Sequence, residues 1–334
     1  MFRKSPNSSF CIGAFLCLLF FNGAAPVSAA QPFLTQDQNP FSLIHGQPQP
    51  VAAQLPDAGA TQWLLTLDIT NTLNAEAING ENLLIDYESY HLRLAWLYGL
   101  NEDWALKIDV PLIHYGGGFL DYTIDRWHEF FGLPRADRPN VSHDQFHIFY
   151  TRDGQTLINL DSPDGGLGDI QLALGRDLLQ SPRSNLSLWF SVDLPTGDQA
   201  TLTGNNRSDL SLWLAADHRF HRNWSVDANI GMLFPGNAQI ATLAIENQVY
   251  FGYAALQWQA HERFQLRAQF NAHTRFYADS ELLLLGSAYN MVLGGRIHLS
   301  KCSDLDLAFS EDIQVGATPD VSFLLSWNTR FDCE

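Results

Sequence analysis

The side chains with the most chemistry to offer are His114, Asp121, Asp125, His128 and Glu129, which fall close together. A histidine among carboxylates is the material of a divalent-metal site or of a general base. Asp125 and Glu129, however, are spaced i, i+4, and on a helix both would face solvent. His143 and His147 are also four apart, but the sequence around them has no helical periodicity, so the spacing carries no zinc site. Asp161, Asp164 and Asp169 flank Gly165-Gly166 and offer oxygen ligands for Ca²⁺, in a spacing that matches no EF-hand loop. A membrane phospholipase needs Ser and His side by side on its lipid-facing surface. Asn271-Ala272-His273-Thr274 comes nearest, with no serine in place and His273 on the inner parity of its segment. No P-loop is found. These residues yield no catalytic assignment, no metal site and no cofactor.

The elements that would position them follow a two-residue beat from about Trp63 to the C-terminus. In Leu186 to Leu194 every even position is apolar, while Ser187, Ser191 and Asp193 occupy odd ones; Trp224 to Met232 and Phe264 to Phe270 repeat the pattern. Such alternation gives each face of a strand its own chemistry. Strands of roughly ten residues of this kind suit a barrel with lipid outside and a polar interior. Strands are expected near 62–72, 86–98, 103–114, 167–178, 185–195, 208–219, 223–234, 247–259, 263–275, 287–299, 303–313 and 320–331. The fold class is therefore all-β, an antiparallel transmembrane β-barrel of about 12 strands. Tight connections (99–102, 180–184, 220–223, 260–262, 300–302) alternate with mostly longer ones (71–85, 115–166, 196–207, 235–246), as periplasmic turns alternate with external loops. Trp96, Tyr98, Trp104, Phe220, Trp224, Trp258 and Phe264 gather at the tight turns, where an interfacial girdle belongs.

The compartment is set by the first residues. Arg3 and Lys4, the apolar run Phe10 to Phe21 and the small residues Val27-Ser28-Ala29-Ala30 read as a signal peptide over 1–30, too short to span a membrane. The expected location is the outer membrane of a Gram-negative bacterium, in contact with outer-membrane lipid and inserted by the barrel assembly machinery. A net charge of −17 excludes a nucleic-acid partner. Charged residues make up only 16% of the chain against 46% hydrophobic, which a charge-poor lipid-facing band explains. Of four cysteines two lie in the leader; Cys302 and Cys333 bracket the last hairpin, nearly equidistant from Gly316-Ala317, and are expected to form a structural disulfide.

The same parity points Arg93, Lys107, Asp109, Asp193, Asp217, Asp227, Arg267, Arg275, Arg296, Asp304, Asp306 and Arg330 toward the lumen. Both signs are present, so neither strong ion selectivity nor an open path follows. Two segments escape the alternation. Residues 31–60 are rich in Gln and Pro (Gln47-Pro48-Gln49-Pro50) with Phe33, Phe41 and Leu43, and are expected to be a periplasmic or plug segment ahead of the barrel at 61–334. Residues 115–166 form a long loop or lid insertion. Its Gly116, Gly117 and Gly118 allow a sharp bend, and Leu120 to Phe131 reads as a short helix with Phe119, Trp127, Phe130 and Phe131 apolar and Asp121, Asp125 and Glu129 charged, beside His128.

The run Gly116-Gly117-Gly118-Phe119-Leu120-Asp121, then Trp127-His128-Glu129-Phe130-Phe131-Gly132-Leu133-Pro134, then Gly165-Gly166-Leu167-Gly168-Asp169 resembles an uncharacterised bacterial domain-of-unknown-function family of outer-membrane barrel type. Gln38-Asn39-Pro40 is similar to that family's opening, so the resemblance covers most of the mature chain. Gly166-Leu167-Gly168-Asp169 and Leu194-Pro195-Thr196-Gly197-Asp198 are similar to motifs of the meta-pathway phenol-degradation outer-membrane proteins. That second resemblance implies a barrel linked to uptake of hydrophobic or aromatic compounds; neither implies a catalytic residue. The expected function is a narrow gated channel for a small-molecule solute, non-enzymatic. A lipid-modifying outer-membrane hydrolase and a non-conducting structural barrel are the alternatives.

Overall fold

The computed structural model describes residues 31–131, 143–237, 240–314 and 316–331; the signal peptide expected at 1–30 lies outside them. Fifteen strands form one sheet. In chain order they begin β1 (Thr61–Ile78), β2 (Glu81–Gly99), β3 (Trp104–Gly116), β4 (His147–Arg152), β5 (Gln155–Leu160), β6 (Asp164–Leu167), β7 (Ile170–Gln180) and β8 (Ser184–Leu194). They continue β9 (Leu210–His221), β10 (Trp224–Phe234), β11 (Val249–His261), β12 (Phe264–His273), β13 (Ala288–His298), β14 (Ser303–Asp312) and β15 (Val321–Arg330). β1, β2, β3 and β7 to β15 are joined antiparallel neighbour to neighbour, and β1 pairs with β15 from Gln62↔Arg330 to Asn71↔Val321. The sheet closes into a barrel of twelve strands, which leaves no exposed edge at membrane depth.

Alternation decides the faces. On β8, Asn185, Ser187, Trp189, Ser191 and Asp193 are buried inside, and the Leu, Phe and Val between them point out. Outward Leu65, Leu94, Leu212, Leu256, Leu266, Phe323 and Leu325 form the apolar band, and Trp63, Trp96, Trp258 and Trp327 ring its end near the tight turns. Trp96 stacks on Tyr98, and Trp224 on Trp258 across β10 and β11. Trp189, the aromatic exception on its parity, turns inward and stacks on Trp213 with ring centroids 5.9 Å apart. Gly175 faces the Trp189 ring and has no room for a side chain. The barrel interior is thus packed over part of its wall.

Two expectations about the outer face are corrected. The connection read at 71–85 is strand: β1 and β2 are 18 and 19 residues long and turn on Asn79-Gly80, both with positive φ (47° and 85°). This is the two-residue hairpin turn that Asn-Gly favours, so the hairpin rises above the rim beyond Asn71. The insertion at 115–166 holds the expected helix, α2 (Asp121–Phe131), together with the three unexpected strands β4 to β6. β4 pairs with the raised part of β2 (Glu81↔Arg152 to Asp86↔His147), and β6 pairs with the top of β3.

Candidate functional site: a barrel filled by its own N-terminal segment

Residues 31–60 run through the lumen and back. Gln31 lies with Gln62 and Arg330 at the end that carries the tight turns. The chain then ascends parallel to β12, and every second residue meets an inner side chain of that strand. Gln269 holds the Phe33 peptide from both sides, its Oε1 accepting from the N–H (3.0 Å) and its Nε2 donating to the C=O (3.1 Å). Asn271 Nδ2 donates to the Thr35 carbonyl (3.3 Å), and His273 Nε2 lies 3.0 Å from Asp37 Oδ2. At the top, Asn39 accepts from the Phe41 N–H and starts the one-turn helix α1 (Pro40–Leu43). The descending limb is held at Gly46, whose N–H donates to Asp209 Oδ2 (2.7 Å) and whose carbonyl accepts from Gln171 and Ser211. Asn229 then repeats the Gln269 device on the Val51 peptide, accepting at 2.9 Å and donating at 3.1 Å. The chain leaves at Gly59, bonded to the Gly99 carbonyl, and enters β1.

Part of the wall pairs its own charges, while Asp68, Asp209 and His273 bond the segment at Thr35, Gly46 and Asp37. Asp227 takes a two-pronged bond from Arg267 (2.9 and 3.0 Å) and one from Gln257, and the Arg267 guanidinium lies over the Phe33 ring. Arg296 grips Asp306 with Nε and Nη2, Lys107 meets Asp109 at 3.1 Å, and His298 meets Asp304 at 2.6 Å. Buried charges need such partners. Between the segment and the wall near Gln36, Gly46, Arg93 and Asp109 remains a cavity of about 30 Å³, space for one or two waters.

At the outer end the contacts become apolar. Phe41 meets the rings of Tyr150 and Tyr277 edge-on, and Ile44, Leu202, Ile240, Leu284 and Leu285 belong to the same buried cluster. Tyr150 comes from β4, so the insertion packs directly on the segment's tip. The β4–β5 hairpin reaches across the mouth, where Arg152 bonds Asp279 of the loop between β12 and β13 (2.8 Å). His45 is enclosed beneath this cover, stacked on Phe276 at 4.6 Å. The Asn205 amide donates to His45 Nδ1 and to Asp209, so the network assigns the proton to Nε2, which faces Tyr277 Oη; that hydroxyl donates to the Phe41 carbonyl. Burial, with a smaller contribution from His273, lowers His45 to about 3 and keeps it neutral. Burial raises Asp209 to about 6, against the hydrogen bonds from Gly236, Gly46 and Asn205.

The residues singled out from sequence separate into groups. Arg93, Lys107, Asp109, Asp193, Asp227, Arg267, Arg296, Asp304 and Asp306 are buried on inner faces. Asp217 is half-buried and accepts from Asn185; Arg330 lies at the end that carries the tight turns and donates to the Lys301 carbonyl. Arg275 is a correction: β12 ends at His273, the alternation stops there, and Arg275 is exposed and paired with Glu246. The triglycine marks a bend: Gly118 has φ +73°, and a side chain there would collide with Glu88. Glu88 accepts from the Phe119 and Leu120 N–H groups at the start of α2. Asp121 bonds Asn71 and the Asp144 N–H, Asp125 pairs with His143, and His147 bonds Asn159, so the carboxylates and histidines are dispersed among separate partners. The Trp127, His128 and Phe131 side chains, and Cys333, lie outside what is described. At the end of that strand pair the Arg330 N–H donates to the Cys302 carbonyl, next to Ser303 opposite Thr329.

Sequence reasoning missed the uncharged inner residues that hold the segment. Gln269 and Asn229 stand on the same parity as the charged residues, and that parity was their only signal.

The model of the family described as Protein of unknown function (DUF3187) matches residues 8–331, and the chain belongs to that family. Among curated proteins none matches the sequence. The COG4313 outer membrane channel from Pseudomonas putida F1 shares the fold with a TM-score of 0.55, at 16% identity over 83% of this chain and 97% of that one. The P. putida toluene transporter TodX (TM-score 0.44, 12% identity, 89% and 94% covered) and the NanC porin (0.46, 7%, 81% and 100%) are more distant.

Proposed function

We propose that this member of the DUF3187 family is an outer-membrane channel for a small solute, closed at rest by its own residues 32–56 and covered by the β4–β5 hairpin. The observation that carries this reading is the way the segment is held. Its peptides are gripped by side-chain amides of Gln269 and Asn229 rather than by a strand ladder. The strongest inner charge pairs, Arg267–Asp227 and Arg296–Asp306, join wall to wall. Withdrawal of the segment therefore leaves those charges paired and a polar lumen lined by Gln, Asn and Ser. A filling meant only to stabilise the barrel would gain more from apolar wall residues, since a buried ion pair is often no better than well-packed hydrophobes. The COG4313 likeness supports the architecture of such a channel. His273 faces inward onto Asp37, away from lipid, which gives the hydrolase alternative no foothold there.

The test is swelling of liposomes that contain the refolded mature chain, in an isotonic gradient of arabinose. The form lacking residues 32–56 is expected to raise the swelling rate at least tenfold over the intact chain. Equal, protein-independent rates for both inserted forms would contradict the reading.

A further inference from the structure

An outward-facing groove opens in the cover itself, between β5, the loop at 198–206 and residues 240–241, with a volume of about 420 Å³. That lies within the range of small-molecule sites, about 300–1,000 Å³. Its floor is Leu202 and Ile240, which belong to the buried cluster around Phe41. A molecule in this groove would touch the residues that pack on the segment's tip.

Two features of the backbone set the groove apart. β5 is the terminal strand of the sheet, and its pairing with β4 slips between Ile158↔Tyr150 and Thr156↔Thr151, leaving Leu157 as a bulge that lines the groove. Bulges of this kind re-aim side chains and concentrate at functional sites. In addition, Leu202, Asn206 and Ala241 line the groove with positive φ (54°, 59° and 49°), and Thr242 follows at 64°. Left-handed backbone is unfavourable for Leu and for β-branched Thr, and such residues collect at ligand sites where the surroundings over-determine them.

The rim defines the ligand. It offers the Asp198 carboxylate with the Asn159 and Asn206 amides, and among the described residues no Lys or Arg lines the groove. An anion would meet Asp198 without a countercharge, whereas a hydroxyl would find acceptors. We propose that this groove is the capture site for a small neutral solute, apolar over most of its surface and carrying a hydroxyl group. The proposal rests on the reading of the chain as a solute channel and names the class of molecule it admits.

The experiment is a saturation-transfer NMR titration of cyclohexanol and of cyclohexanecarboxylate against the mature protein in nanodiscs, with empty nanodiscs subtracted. Cyclohexanol is expected to saturate, and the carboxylate to bind at least tenfold more weakly. Ala200→Trp, which fills the groove from the 198–206 loop, and Leu157→Trp, which fills it from β5, are each expected to weaken cyclohexanol at least tenfold. Asp198→Asn, which can still accept from the Ala200 N–H, is expected to improve carboxylate binding at least threefold. A signal equal to that of empty nanodiscs, or cyclohexanol binding indifferent to both Trp variants, overturns the proposal. Binding is read without conduction. Saturable binding to a barrel that never conducts supports the site and sinks the channel; conduction without saturable binding does the reverse.

Discussion

The two ends of the filled barrel hold the N-terminal segment by different physics. At membrane depth the grip is directional, with one amide on each limb (Gln269 on Phe33, Asn229 on Val51), alongside the packing of Phe33 with Val292 and Leu324 and the burial of the smaller side chains Leu34, Val51, Ala53 and Leu55. Under the cover the grip is aromatic and non-directional, with Phe41 and Ile44 set among residues of β4 and three separate loops. Hydrogen bonds to a segment that leaves are exchanged for bonds to water, so each contributes only about 0.5–1.5 kcal/mol. Burial of an aromatic side chain has no such replacement and contributes about 3–5 kcal/mol. Closure is therefore decided at the cover, and the amides act mainly to keep the segment in register.

The largest effect on this contrast is expected from Phe41→Ala. It should lower the free energy of local opening by about 3 kcal/mol, raising amide hydrogen exchange at residues 39–46 roughly a hundredfold. Unchanged exchange there would remove the distinction between the two ends. Asn229→Ala and Gln269→Ala should each cost about 1–2 kcal/mol, with faster exchange near Val51 or near Phe33 respectively. The two grips stand on different limbs and share no partner, so their effects should add in the double variant.

Acid should act at the cover through two opposing groups. His45, lowered to about 3 when enclosed, contributes stability that is complete above pH 6.5 and is lost as pH falls from there toward 3. Asp209, raised to about 6, has the opposite sign: its contribution is complete below its ordinary value near 4 and is lost as pH rises through 6. In the intact protein the two largely cancel between pH 7 and 5. Asp209→Asn leaves the His45 loss uncompensated, about 2 kcal/mol by pH 5, which protease access to residues 40–50 would report. His45→Asn should reverse that trend and tighten the cover in acid. The smallest expected effect is at the termini: Cys302→Ser and Cys333→Ser should leave exchange in the segment unchanged, while thiol titration of the unfolded mature chain reports whether the two are bridged.

The barrel was legible because a strand with lipid on one side and polar groups on the other must alternate, and the pattern marked β8, β10 and β12 within one residue or two. Asn79-Gly80 carries a hairpin-turn signal that the reading of 71–85 as one connection passed over, because the polar residues of the raised hairpin resemble a loop where no lipid faces them. The filling was harder to read. Residues 31–60 obey no period, since an extended chain bonded to side chains on two sides is constrained by its surroundings alone. Trp189 and Trp213 were visible hints, aromatics on the inner parity where an open channel would carry polar residues. The groove over the cover left no signal, because the β5 bulge and the left-handed residues are tertiary products of loops far apart in sequence.

Single-channel recording in a planar bilayer tests the central claim most directly, by comparing the refolded mature chain with the form lacking residues 32–56. The intact chain should insert and stay mostly silent, with brief and rare openings, and the shortened form should carry sustained discrete current steps. Equal silence from both, with insertion verified, would show that the segment fills a barrel that has no path to open.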